Sequence, residues 1–328
     1  MIFGLATALI VAAGATAYFL MNRADEPEQV ARGGFDNPLS LDPCSYIEPK
    51  TFAAVADRAP QGGPWVRVRP AGFSICTAEV MHSGLPVTIN LEARHFESHE
   101  TSYTATKTTK RGSVEIADLG SNGLEHCPQL LIRPDGAAVR LSASMDSPRG
   151  ANTRETVCEI RDAATDAAVS ALTRGSAKSL EYPADSLAGI SPCYRFTAAN
   201  LQSTVGQSPV TKHPSELPYT CEWEVGNATV HLEIGLKPKS ETGGFGDETL
   251  EGHQANAMQL NTTECIVQTL GRGWEPWPGS HANYPGGTDA DSAAYVELAT
   301  LSVRGTTDDG CGKAAALATI LWRQLPKA

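Results

Sequence analysis

The chain has 328 residues, a formal net charge of -11, and 26 lysines and arginines against 37 acids. That length suffices for two ordinary domains with real cores. The acidic balance argues against nucleic acid or an anionic lipid surface as partner, because both need concentrated positive charge. Eight cysteines without a Cys-x-x-Cys pair fit a disulfide framework better than a zinc site, and such a framework implies an oxidising compartment.

Residues 2–21, opened by Ile2 and closed by Met21, are uncharged and mostly apolar. At about 1.5 Å per residue such a run spans roughly the 30 Å of a hydrocarbon core, which predicts a transmembrane anchor contacting the membrane directly. A signal cleaved near Ala17 is the competing reading. Arg23 and Arg32 follow the run and favour a cytoplasmic C-terminal part, whereas the cysteines favour the outside. Asp25, Glu26 and Glu28 dilute those two arginines, so the cysteines decide. Residues 22–40, with Pro27, Gly33, Gly34 and Pro38, read as a spacer.

Residues 41–175 read as a first α+β domain. The spacing predicts a helix over 45–58, with Tyr46, Ile47, Phe52, Val55 and Ala56 on one face, then a Pro/Gly loop over 59–70. Strands are expected from Phe73 onward, clearest where Val87, Ile89, Leu91 and Ala93 alternate with polar residues. A polar turn is expected over 107–112, a hairpin around Pro134-Asp135-Gly136, and a closing alanine-rich helix over 157–172. After a linker at 176–189, residues 190–328 repeat the order: a helix over 194–205, strands over 219–225 and 229–236, a Gly-rich turn over 243–246, later strands and a last helix.

The repetition is also visible residue by residue. Leu41-Asp42-Pro43-Cys44-Ser45-Tyr46 is answered by Ile190-Ser191-Pro192-Cys193-Tyr194-Arg195, and Cys76-Thr77-Ala78-Glu79-Val80 by Cys221-Glu222-Trp223-Glu224-Val225. The cysteines then fall into two fours, and sequential pairing would staple helix to sheet in each: Cys44 with Cys76, Cys127 with Cys158, Cys193 with Cys221, Cys265 with Cys311. The expected fold class is α+β, two tandem copies of a disulfide-stapled helix, antiparallel meander sheet and helix, preceded by one N-terminal transmembrane helix.

The second copy is longer between Cys265 and Cys311, and the excess carries Trp274, Trp277, His281 and Tyr284. Tryptophans on a Pro/Gly-rich loop can form a flat apolar platform for a sugar ring or peptide, or can fold back into the loop's own small core. His95 and His99 would stand about 13 Å apart on a strand, too far for one ion. Asp289, Asp291, Asp308 and Asp309 match no calcium-loop spacing. No metal and no cofactor is therefore expected. Motifs for an activated serine, a zinc protease or a phosphate loop do not occur, although paired carboxylates would leave no signature. Asn227 and Asn261 open glycosylation sequons.

The Asp-Pro-Cys opening, the strand beginning Cys76-Thr77 or Cys221-Glu222-Trp223, and the late cysteine before an Ala-rich helix resemble the DUF3558 family of actinobacterial envelope lipoproteins. The resemblance covers 41–175 and 190–325 and implies an envelope location; it brings no catalytic residues. Members are lipoproteins, whereas this apolar run ends without a cysteine, so anchoring would fall to residues 2–21. The expected function is a membrane-anchored extracytoplasmic binding or interaction protein, with an envelope protein or glycan as partner. The alternative is a cell-wall glycan hydrolase using acidic residues near the 274–284 loop.

Overall fold

The computed structural model describes residues 40, 42–59, 62–95, 104–120, 126–145, 153–174, 177–215, 217–242, 244–245, 248–275, 294–306 and 309–324. The expected anchor, the spacer up to residue 39, and Trp277, His281 and Tyr284 lie outside them. Among the described residues no helix is long and apolar enough to cross a membrane.

The protein is a mixed α+β structure with two antiparallel sheets and, among the described residues, three α-helices. The helix expected over 45–58 is instead two 3-10 turns, Pro43–Tyr46 and Pro49–Phe52. Pro49 is the reason: its ring would clash with the preceding turn and it offers no N–H, so the chain restarts there. The first sheet comprises β1 (Val66–Pro70), β2 (Ile75–His82), β3 (Leu85–His95), β4 (Ala105–Arg111), β5 (Val114–Leu119), β6 (His126–Ile132) and β7 (Ala137–Ser144). Helix α1 (Thr153–Arg174) packs on β7, β6 and β3. Strand β1 occupies part of the expected loop at 59–70, and β4 the expected turn at 107–112. Both are edge strands, where polar residues and proline are tolerated because one side need not be paired.

The second half has a 3-10 turn (Pro192–Tyr194) and α2 (Ala198–Thr204) in place of the longer helix expected over 194–205. Its strands are β8 (Val210–Pro214), β9 (Thr220–Val225), β10 (Ala228–Pro238), β11 (Thr249–Leu250), β12 (His253–Asn261), β13 (Glu264–Trp274) and β14 (Tyr295–Arg304), followed by α3 (Gly310–Arg323).

The two sheets have the same strand order, β1-β2-β3-β7-β6-β5-β4 and β8-β9-β10-β14-β13-β12-β11. Neither is the simple meander expected, because the last strand of each set inserts at the centre beside the third. The registers match as well: Leu91 faces Cys76 and Leu141, and Leu232 faces Cys221 and Leu301. Inward residues of β3 (Val87, Ile89, Leu91) and β10 (Val230, Leu232, Ile234) are all at most 2% exposed, which is the burial that strict alternation demands. The four disulfides pair Cys44 with Cys76, Cys127 with Cys158, Cys193 with Cys221 and Cys265 with Cys311, as the spacing leads one to expect.

Each sheet has its own core, yet the halves interlock. Phe73, from the turn between β1 and β2, is buried in the second core, its ring 5.1 Å from Tyr219 and 5.8 Å from Tyr182. The connector returns the contact: Asp42 N–H donates to the Lys178 carbonyl at 2.9 Å, and Leu180 N–H to that of Ser40 at 2.6 Å. The contacts gather Gly33–Ala328 into one unit.

At the edge of the second core the His253 ring stacks on Trp322, 3.8 Å between centroids. Burial holds this imidazole below its ordinary pKa, partly offset by a hydrogen bond with the Leu270 backbone. A group with a depressed folded pKa binds its proton more readily when unfolded, so stability rises with pH through that window. Lowering the pH below about 6.5 is therefore expected to lower the urea midpoint, and His253→Phe to flatten the slope. An equal slope in the variant would rule His253 out.

Candidate functional site

In each half the helices pack on one sheet face, and the opposite face of the first sheet carries a small buried cluster of its own, Ala117, Leu130 and Ala138. The outer face of β1, β2, β3 and β7 follows from alternation. Val66, Val68 and Pro70 are buried while Arg67 and Arg69 between them take the opposite phase, and Glu79, Thr88, Asn90, Glu92, Arg94 and Arg140 occupy the same phase of the neighbouring strands. These four strands thus gather four arginines against two glutamates on one face of an acidic protein. Trp65 lies just before β1 on the same phase and is 37% exposed.

Glu92 accepts from Arg94 Nη2 at 2.5 Å and lies 3.9 Å from Arg140 Nη1. The Nε atoms of Arg69 and Arg140 are buried and have no hydrogen-bond partner among the described residues. Arg67 and Arg69 also come close enough to Tyr295 on β14 for their charge to oppose the upward shift that burial imposes on its phenol.

The matching face of the second sheet is built differently. The shared register puts His213 where the first sheet has Arg69, Glu222 for Thr77, His231 for Asn90, Gly235 for Arg94 and Thr300 for Arg140, while Glu233 matches Glu92. His213 lies 3.4 Å from Glu224, and His231 lies 4.0 Å from both Glu222 and Glu233. One backbone therefore presents an arginine face in one half and a glutamate and histidine face in the other. Among the described residues no group of side chains is arranged to hold a metal ion.

Trp274 ends β13 opposite Tyr295, is 9% exposed, and packs against Tyr182 with Arg272 over its ring. Its indole N–H donates to Glu297 Oε1 at 3.0 Å. Glu297 is fully buried and also accepts from Ser186 Oγ at 2.5 Å, Leu187 N–H at 2.7 Å and the Arg272 backbone. Burial raises its pKa above the ordinary carboxylate range, and those donors pull it part of the way back. The cluster ties the connector at Ser186 and Leu187 to the second sheet. Glu275, beside the loop, is paired with Lys239.

A polar cavity of about 260 Å3 lies beside the bridge from Cys265 to Cys311, between the β12–β13 turn and the start of α3. Its polar groups are engaged locally. Asn261 Oδ1 accepts from Thr263 N–H at 2.9 Å, Glu264 accepts from Arg304 Nε at 2.6 Å, and Asp309 caps Gly312 N–H at 3.0 Å.

The arginine face and the Glu297 cluster went unread in the sequence, although both leave a trace. Val-Arg-Val-Arg-Pro at 66–70 is an alternating strand, and Glu297 stands in the inward phase of Tyr295, Ala299, Leu301 and Val303. No protein-family model, curated protein or solved structure matches the chain.

Proposed function

We propose that the chain is an extracytoplasmic binding protein of the cell envelope: two tandem copies of one disulfide-stapled α+β domain, residues 41–175 and 190–328, joined by 176–189 and held at the membrane by residues 2–21. The observation that carries this reading is the set of four disulfides using all eight cysteines, a pattern suited to an oxidising compartment and foreign to a reducing cytosol. The tandem origin draws support from the identical strand order and register of the two sheets. A binding role draws support from their outer faces. A scaffold kept twice, with one side rewritten from arginine to glutamate and histidine, has diverged where a partner would touch it, while the cores kept one pattern.

The test is made on intact cells. A membrane-impermeant protease should degrade the protein down to a short membrane-held stub, and peptide mapping without reductant should recover four linked pairs. Protection from the protease together with free thiols would place the chain in the cytoplasm and end this reading.

A further inference from the structure

We propose that the edge of β12 over residues 257–261 docks a second copy of this chain, the two copies of the strand pairing antiparallel across a two-fold axis at Met258. The two halves differ in how this edge is covered. In the first sheet the outermost strand β4 pairs with β5 from Val114 to Leu119. Its counterpart β11 has only two residues and pairs only with His253 and Gln254. One more bond, from Ala255 N–H to the Glu248 carbonyl at 2.9 Å, ends the cover. Past it, residues 257–261 are all exposed, and among the described residues no strand lies on their side away from β13. The first half thus shows what fits this place: one more antiparallel strand.

Side chains at the sheet edges argue that the strand comes from a second copy. An unpaired edge is normally protected by charge or proline. Strand β1 carries Arg67, Arg69 and Pro70, β4 carries Lys107, Lys110 and Arg111, and β8 carries Lys212 and His213. Pairing any of these with its own copy brings like charges together. Residues 254–261, Gln-Ala-Asn-Ala-Met-Gln-Leu-Asn, hold no charge and no proline. Met258 is 37% and Leu260 55% exposed, two of the four exposed large apolar side chains among the described residues. Because Ala255 N–H points away from β13, alternation turns the N–H and C=O of Ala257 and Gln259 the same way. With the axis at Met258, Ala257 faces the partner's Gln259 and Gln259 the partner's Ala257, which closes about four ladder hydrogen bonds, and Met258 packs on its own counterpart. The bulge between Gln259 and Asn261 keeps the contact short. A contact this small gives a weak dimer, dissociating on the order of tens of micromolar.

The test is sedimentation velocity of the purified full chain in mild detergent, over concentrations from about 1 to about 300 μM. Monomer is expected at the low end and dimer at the high end. Met258→Lys sets two ammonium groups against each other at the axis and should weaken dimerisation about tenfold or more, as should Met258→Glu. An equimolar mixture of the two variants should dimerise again, because only the mixed pair places Lys against Glu. Lys107→Glu on the β4 edge should change nothing. If a variant at Met258 loses the wild-type circular dichroism, Ala257→Pro, which removes an outward N–H and leaves the ladder to β13 intact, should weaken the dimer instead.

A chain that stays monomeric throughout, assemblies larger than a dimer, a dimer indifferent to Met258→Lys, or a mixture of Met258→Lys with Met258→Glu that fails to recombine would each overturn the proposal. Association through residues 2–21 would survive all of these substitutions and is thereby told apart. Because this assay is independent of cell location, its failure is distinct from failure of the protease experiment.

Discussion

Reduction of the four bridges is expected to unfold the protein in water. The bridges close segments of 32, 31, 28 and 46 residues, and none of these segments overlaps another, so each restrains a separate stretch of the unfolded chain. On the chain-entropy account each loop contributes about 3.5 to 4 kcal/mol, about 15 kcal/mol together. A folded chain typically holds a net stability of about 5 to 15 kcal/mol, so removing all four leaves little or nothing. Urea titration followed by far-UV circular dichroism, with and without a phosphine reductant, measures this directly. A cooperative transition with the same midpoint in both would contradict it. Among single bridges, Cys265→Ala with Cys311→Ala should cost most, about 4 kcal/mol, because its loop is the longest.

Duplication reduced the bridges to three connectivities in each half, and the sequential one, which staples helix to sheet, is the one observed. Strands with one buried face were legible for the reason that Val87, Ile89 and Leu91 alternate cleanly. The strand order was not. Pairing β3 with β7 joins residues about 50 positions apart (Thr88 with Ser144, His95 with Ala137), and no local pattern encodes which strand lies beside which. The edges failed for a different reason. Strand β4 buries little and reads as a polar turn, and Pro70 in β1 argues for a loop unless the strand is known to lie at an edge. The first helix failed because apolar spacing at 46, 47, 52, 55 and 56 outweighed Pro49, whose backbone rule proved stronger. Trp274 was legible as important but not in its role. Its ring belongs to the cluster around Glu297, whose members come from three places in the chain.

That cluster yields the second large effect. Glu297→Ala is expected to destabilise the protein by about 3 to 5 kcal/mol. The carboxylate accepts from Ser186, Leu187, Trp274 and the Arg272 backbone. Ser186 can turn its hydroxyl elsewhere, but the other three donors are held by backbone or ring and would be left unpaired in a closed interior, each costing on the order of 1 to 3 kcal/mol. Trp274→Phe, which removes one donor and keeps most of the packing, should cost about 1 kcal/mol.

The variant Glu297→Gln separates charge from shape. With its pKa raised in the folded state, Glu297 contributes through its protonated form a stability that is fully present below the ordinary carboxylate pKa and is lost as pH climbs through the raised value. The wild type should therefore lose stability with rising pH across that window, against the opposite trend from His253, and Glu297→Gln should not. Because Ser186 and Leu187 belong to the connector, Glu297→Ala should also open residues 183–189 to limited proteolysis before either sheet unfolds. A urea midpoint for Glu297→Ala within about 1 kcal/mol of wild type, with the connector still protected, would mean that the interlocked aromatic rings of Phe73, Tyr182 and Tyr219 hold this junction and that the carboxylate is incidental to it.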